Sequence, residues 1–276
     1  MTVATLANAT PDYAAIKNRQ QQTWASGDYH VIASIIMPMA EMLCEAVDLR
    51  AGQRVLDVAT GSGNAAIAAA RRLCEVTGVD YEPGLLERGR QRATTEGFYI
   101  NFLEGDAESL PVADAAFDVV LSTVGTMFAP NHEQAAAEML RACRTGGQIG
   151  IASWTPEGWI GEMFRIVGRH VPPPAGLRPG TRWGSEEGVR ELFGASVTDL
   201  RMERRNLVWH FTSAQQFLDL FRDFYGPVLK AFAALDAVGQ AALTRDLIDA
   251  AERFNVSTDD TMVIPAEYLE VVAIKA

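Results

Sequence analysis

Several features that would assign a chain of this kind to a class are scarce or missing. Among 276 residues there are three cysteines and no C-x-x-C pair. Cys44, Cys74 and Cys143 are far apart in apolar helical patterns, which excludes a thiol-rich zinc site and reads as reduced, buried thiols. No cluster of His, Cys and carboxylates has ligand spacing, so no metal is expected. Basic residues are outnumbered, 24 Lys and Arg against 35 Asp and Glu, for a net charge of −11. An acidic chain without a basic face is poorly suited to nucleic acid. The densest basic run, R-M-E-R-R at 201–205, lies in a strand-like segment and reads as a solvated strand face. No apolar run approaches the roughly 18 residues of a membrane span. The first residues lack the basic-then-apolar order of a secretory signal, so a cytoplasmic location is the default expectation. Internal repeats and low-complexity tracts are also missing.

What is present is a strongly patterned chain with 48% hydrophobic residues. Its length suits one large domain, or a core with a cap. Residues 11–49 read as helices, with Ile32, Ile35, Ile36, Met39, Leu43 and Val47 at helical spacing and Pro38 expected to kink or split them. Short apolar strands then alternate with helices: strands at 53–59, 75–79, 100–104, 117–122 and 148–154, helices at 65–73, 83–96 and 132–143. Such alternation predicts right-handed βαβ units in a doubly wound parallel sheet. Residues 155–195 are rich in Gly and Pro and read as an irregular insertion. There Gly158, Gly161, Gly176 and Gly180, with Pro172, Pro173 and Pro174, form a candidate hinge and strap. A strand over 197–211, a helical segment over 212–255 and a closing strand over 268–274 complete the pattern. The expected organisation is an N-terminal helical lid (1–49), a nucleotide-binding core (50–155), and cap insertions with the last strands of the same sheet (156–276).

The chemistry-bearing segments sit at strand ends. V-L-D-V-A-T-G-S-G-N at 55–64 places Gly61 and Gly63 in a tight strand-to-helix turn. The free N–H groups of the next helix then face any ligand bound there. On its own G-S-G-N-A-A is a weak match to a dinucleotide loop, and a plain structural turn is an equal reading. Asp57, inside the first strand, is costly to bury unpartnered. It can hold loop amides or, through water, a cationic ammonium. Asp80 closes the second strand, where an acid can take both hydroxyls of a ribose, and Tyr81 beside it can pack on a base. Asp106 follows the third strand in E-G-D-A-E-S-L-P. It can accept from an adenine amino group while the Ala107 N–H serves a ring nitrogen. Three acids in register with one glycine turn are far more specific than any one of them.

These segments, with F-D-V-V-L-S and L-R-A-C-R-T-G-G-Q-I-G-I-A-S-W, have the order and spacing of the class I S-adenosylmethionine (SAM)-dependent methyltransferases. Over residues 50–155 the chain most resembles the ubiquinone/menaquinone-biosynthesis-type group and its small-molecule relatives. W-A-S-G-D-Y at 24–29 and the closing Y-L-E-V-V-A-I also look familial, whereas Thr145 stands where relatives commonly carry Pro. The resemblance implies a Rossmann-like α/β fold with a seven-stranded sheet whose last strand runs antiparallel, and S-adenosyl-L-methionine as cofactor. It implies Ala59 and Gly61 near the methionine moiety, Asp80 on ribose, Asp106 and Ala107 on adenine, and Ser122 near the reactive end, with Asp57, Thr60, Gly63 and Tyr81 also among the cofactor-binding residues. The partner it implies is a small-molecule methyl acceptor, and a homodimer is compatible with it.

Methyl transfer from a sulfonium needs alignment and desolvation of the nucleophile more than added chemistry, and a base only for some acceptors. The catalytic candidates are Tyr29 and His30, in a segment placed to lid the site. His132, His170 and His210 are weaker, with structural roles favoured. Phe128, Trp154, Trp159, Phe164 and Trp183 suggest an apolar acceptor pocket, or the core of a cap. Two other functions share the scaffold. A SAM-binding cyclase or other non-methylating enzyme cannot be told apart by sequence. An NAD(P)-dependent oxidoreductase leaves Asp57 and Asp106 unexplained, and its Y-x-x-x-K match, Tyr13 to Lys17, precedes the glycine loop.

Overall fold

The computed structural model describes residues 11–276, and the first ten residues of the expected lid lie outside them. Three helices come first: α1 (Tyr13–Trp24), α2 (Tyr29–Ile35) and α3 (Met37–Ala46). Asp12 and Asp28 cap the first two, accepting from Ala15 N at 3.0 Å and His30 N at 3.2 Å. The break expected at Pro38 is present. Pro38 occupies the first turn of α3, where its missing N–H has no intrahelical partner to lose.

The alternating region then runs β1 (Arg54–Val58), α4 (Asn64–Arg71), β2 (Glu75–Asp80), α5 (Pro83–Thr95), β3 (Asn101–Glu104), β4 (Phe117–Thr123), α6 (His132–Ala142) and β5 (Cys143–Trp154). These five strands are parallel, in the order β3-β2-β1-β4-β5. Helices cover both faces, so β1 is buried from Val55 to Val58 and reads as a continuous apolar run broken only by Asp57. Strand order reverses between β1 and β4, which opens a crevice at their carboxyl ends.

The rest of the chain comprises α7 (Trp159–His170), α8 (Glu186–Phe193), β6 (Val197–Phe211), α9 (Ala214–Phe224), α10 (Gly226–Ala233), α11 (Ala237–Phe254) and β7 (Met262–Lys275). β7 lies between β5 and β6 and is antiparallel to both, giving a seven-stranded sheet. The closing strand is therefore antiparallel as expected, and longer than 268–274. The basic run on β6 is tied down locally: Arg204 pairs with Glu157 and Glu267, and Arg205 with Glu203 and Glu270.

Two expectations need correction. The 155–195 segment is not irregular throughout, because α7 and α8 lie within it. Ile160, Met163 and Ile166 are buried at helical spacing, and that periodicity outweighs the glycines around it. Two of those glycines permit close backbone packing: a Cβ on Gly161 would lie 2.4 Å from Pro156 O, and one on Gly180 2.6 Å from Met127 O. The 212–255 segment is helical as expected and comprises α9, α10 and α11; Pro227, in the first turn of α10, stops α9 from continuing. Cys44 and Cys143 are buried as expected, but Cys74 is only half-buried.

Candidate functional site

The turn between β1 and α4 is built from left-handed backbone, with φ of 53° at Ala59, 54° at Gly61 and 86° at Gly63. Asp57, buried beneath it, accepts from Thr60 Oγ1 at 2.6 Å and from Ala66 N at 2.9 Å. Of the two roles open to Asp57, holding the loop is the one its contacts fulfil. It does not line the cavity. Burial pushes its carboxyl up to about 7, against those two hydrogen bonds. Asp80 closes β2 alongside, accepting from Gly61 N at 2.8 Å and Glu82 N at 2.9 Å. Burial raises it to about 6. After β4, Val124 has φ of 59°, a strained value for a β-branched residue. A Cβ on Gly125 would sit 2.5 Å from Ala59 O, so only glycine lets the loops after β1 and β4 meet.

These loops floor a cavity of about 760 Å³. Of the expected cofactor residues, Ala59, Thr60, Gly61, Asp80, Tyr81, Asp106 and Ala107 line it, and so does Tyr29. Gly63 does not. Its missing side chain instead leaves room for the Phe102 ring, which would lie 3.1 Å from a Cβ at that position. Ser122 is a correction. It is fully buried, donates to Val58 O at 2.9 Å and accepts from Thr126 N at 3.0 Å, so it ties β4 to β1. Thr123, one residue on and on the other side of the strand, lines the cavity, with its Oγ1 buried and unpartnered.

Helix α1 closes the cavity from above. Lys17 Nζ lies 2.5 Å from Asp106 Oδ2 and 3.0 Å from Glu108 Oε2. Burial lowers its pKa, but the hydrogen bonds and charges of the two acids outweigh this and leave it raised. Gln21 donates to Tyr81 O at 2.5 Å and Gln20 to Phe128 O at 3.0 Å. Sequence reasoning met Lys17 only as the end of a Y-x-x-x-K match. Helical period alone does not tell which turn of a lid faces a crevice.

Tyr29 stands over the glycine turn, held edge-on by Trp24 at 5.2 Å between ring centroids. Burial and the Asp80 charge push its hydroxyl far above the usual phenol value. His30 does not reach the cavity. Its Nδ1 lies 3.2 Å from Oγ of Ser62, which does line it, and burial followed by the charges of Arg92 and Arg88 lowers its pKa. The other histidines are also elsewhere: His132 is buried against Trp183, His170 is 2.8 Å from Asp246, and His210 is exposed on β6. Among the described residues no histidine lines the cavity. Of the expected aromatics, Phe128 lines it, and Phe164 packs against Phe128 at 5.9 Å. Trp159 and Trp183 are core.

The arrangement fits a nucleoside with a polar tail. A carboxylate at the end of β2 faces it, open backbone at the glycine turn permits close approach, and an orphaned hydroxyl at Thr123 awaits a partner. Among the described residues no group of three His, Cys, Asp or Glu could hold a metal, and no helix is long and apolar enough to cross a membrane.

Comparison with known proteins agrees with this arrangement. A family model described as a methyltransferase domain matches residues 55–147. An uncharacterised protein of Mycobacterium tuberculosis is 40% identical over 92% of this chain and 93% of its own length. A demethylmenaquinone methyltransferase of Deinococcus radiodurans is 39% identical over 45% of this chain and 53% of its own. Among solved structures, a phosphoethanolamine N-methyltransferase of Haemonchus contortus, in complex with S-adenosylhomocysteine, superposes with a TM-score of 0.61. It is 16% identical, over 96% of this chain and 60% of that one, a likeness of fold.

Proposed function

The chain belongs to the class I SAM-dependent methyltransferases, and on that premise we propose that it transfers the methyl group of SAM to O, N or C of a small-molecule acceptor held behind Tyr29. The observation that carries this reading is the placement of Tyr29. It lines both the cofactor cavity and a second, apolar chamber that also contains Trp154. The partial kinship with a demethylmenaquinone methyltransferase supports a quinone-like ring as one candidate acceptor.

Bound SAM supplies an already activated methyl group. The chain's own residues bind and orient it. Asp80 is the acceptor for the ribose hydroxyls, the Asp106–Ala107 turn meets the adenine edge, and the Ala59–Gly61 turn lies beside the methionine tail. Helix α1 and Tyr29 exclude water, and Tyr29 fixes the direction of approach. With its hydroxyl so hard to ionise, Tyr29 acts by position and not as a base. A non-methylating SAM-dependent enzyme, such as a cyclase, is the second reading, favoured by the lack of a histidine or carboxylate lining the chamber among the described residues.

Calorimetric titration with SAM and with NAD tests the cofactor, and a labelled-methyl assay over a metabolite panel tests transfer. We expect SAM to bind, NAD not to bind, and label to appear in at least one apolar acceptor. SAM binding without transfer to any member, in the presence of a product the panel did not contain before, favours the cyclase reading.

A further inference from the structure

The second chamber has about 270 Å³ of empty space and shares Tyr29, Ile36 and Val124 with the cofactor cavity. The two spaces are therefore adjoining compartments separated only by those side chains. Its remaining wall is supplied by α2, β5, α7, β6 and α9, and includes Trp154, Ile160, Met163 and Trp209. Among the described residues, Tyr29 and Tyr225 are the only ionisable ones lining it. Burial raises both hydroxyls far above the usual phenol range. An ionic acceptor entering here would lose its hydration and find no counter-charge on the protein. A cationic one would also face the sulfonium next door.

One group on this wall lacks a partner. Trp209 is 4% exposed, and its Nε1–H has no hydrogen-bond acceptor. A donor left buried and unpaired is costly. The indole is also held in place, with Trp154 edge-on at 5.7 Å and Phe221 at 5.4 Å. Trp159 and Trp183 have unpartnered indoles as well, but neither lines this chamber or the cofactor cavity. Of the three, Trp209 is the one that lines this chamber. The chamber is much smaller than the adjoining cofactor cavity, which limits what fits to a compact molecule.

We propose that this chamber selects a compact, uncharged, mainly apolar acceptor that carries an oxygen positioned to accept from Trp209 Nε1. The inference rests on the methyltransferase reading and narrows it. The apolar walls set the class of molecule, and Trp209 sets its orientation relative to Tyr29 and the cofactor.

The test uses the full chain saturated with S-adenosylhomocysteine, so that no methyl group can move. Binding of 1-tetralone, which has two fused rings and one carbonyl, is compared with that of tetralin, the same frame without the oxygen. Equilibrium dialysis gives both affinities. Wild type should bind tetralone about five- to tenfold more tightly than tetralin, the scale of one hydrogen bond. Trp209→Phe keeps the aromatic bulk and should bring tetralone down to the tetralin level, leaving tetralin unchanged. Ile160→Trp fills the space and should abolish binding of both probes while S-adenosylhomocysteine still binds. The proposal is overturned if, with S-adenosylhomocysteine bound, wild type binds neither probe or does not distinguish them, or if Trp209→Phe preserves the difference. Failure of S-adenosylhomocysteine itself to bind overturns the methyltransferase reading, and this inference with it.

Discussion

The ammonium of Lys17 lies 2.5 Å from Asp106, bridging the N-terminal helix α1 to the acid that closes β3 on the cofactor side. Both side chains are about 30% exposed, at 28% and 32%, so the pair is partly screened and contributes about 1 kcal/mol or less to stability. Its larger consequence is kinetic, since the same helix covers the cavity. Lys17→Met should raise the dissociation rate of SAM about three- to tenfold and speed hydrogen exchange across α1, with little change in thermal stability. Stopped-flow displacement reads the first effect. A dissociation rate within twofold of wild type shows that α1 is not a latch.

Asp80 accepts from two backbone amides and also faces the cavity, so its loss should be felt in binding. Asp80→Ala should weaken SAM by roughly ten- to a hundredfold, from lost hydrogen bonds to a charged group. Affinity unchanged within twofold in a folded variant would remove it as the ribose ligand. The pH dependence follows from the raised pKa of Asp80, about 6, and of Asp57, about 7. Both carboxyls hold their protons longer in the folded chain than in the unfolded one, where the value is near 3.8. The contribution of these two groups to the stability of the cofactor-free protein is therefore greatest at the acid end and falls as pH rises from about 4 to 7. If Asp80 takes the ribose hydroxyls as proposed, its ionised form is the one that binds SAM, so affinity should rise with pH up to about 6, and binding at pH 5.5 should release a proton. Calorimetry in two buffers of different ionisation enthalpy measures that release, and Asp80→Asn should abolish it.

Tyr29 and His30 are neighbours in sequence but face different surroundings. Tyr29→Ala should lower turnover at least tenfold, on an acceptor drawn from the labelled-methyl panel, while weakening SAM less than threefold. Tyr29→Phe should keep most of the turnover, because the ring fixes the approach and the hydroxyl is not a base. His30→Ala should leave turnover within about twofold. A loss of turnover in His30→Ala comparable to that of Tyr29→Ala, with SAM still bound, shows instead that the imidazole enters the site during reaction.

Gly125 bears on the floor of the site. Gly125→Ala places a Cβ 2.5 Å from Ala59 O, and since the clash is with backbone, no side chain can move to relieve it. Overpacking of this kind costs about 1–3 kcal/mol, and the glycine turn should shift with it. Denaturant unfolding and SAM titration should both show the loss. Wild-type stability together with wild-type affinity would mean that the two loops separate freely.

Much of this protein is legible in its one-dimensional pattern. Alternating apolar strands and amphipathic helices between residues 50 and 155 specify a parallel doubly wound sheet, because helices on both faces demand strands that are apolar throughout. Gly61, Asp80 and Asp106 could be read as neighbours at one cavity because chain topology alone brings the ends of neighbouring parallel strands together. The antiparallel last strand came from family resemblance, since strand direction leaves no periodicity of its own. What the sequence could not decide depended on rotation and distance. Ser122 and Thr123 are adjacent hydroxyls, and strand geometry sends one into the sheet and the other to the cavity. His30 and Tyr29 share one helical turn, yet only Tyr29 faces inward. Lys17, 89 residues from Asp106 in the chain, meets it only because α1 folds back over the crevice. The second chamber is the extreme case. Its wall joins Tyr29, Trp154, Trp209 and Phe221 from four separate elements, and no local pattern records which apolar side chains end up facing each other rather than filling the core.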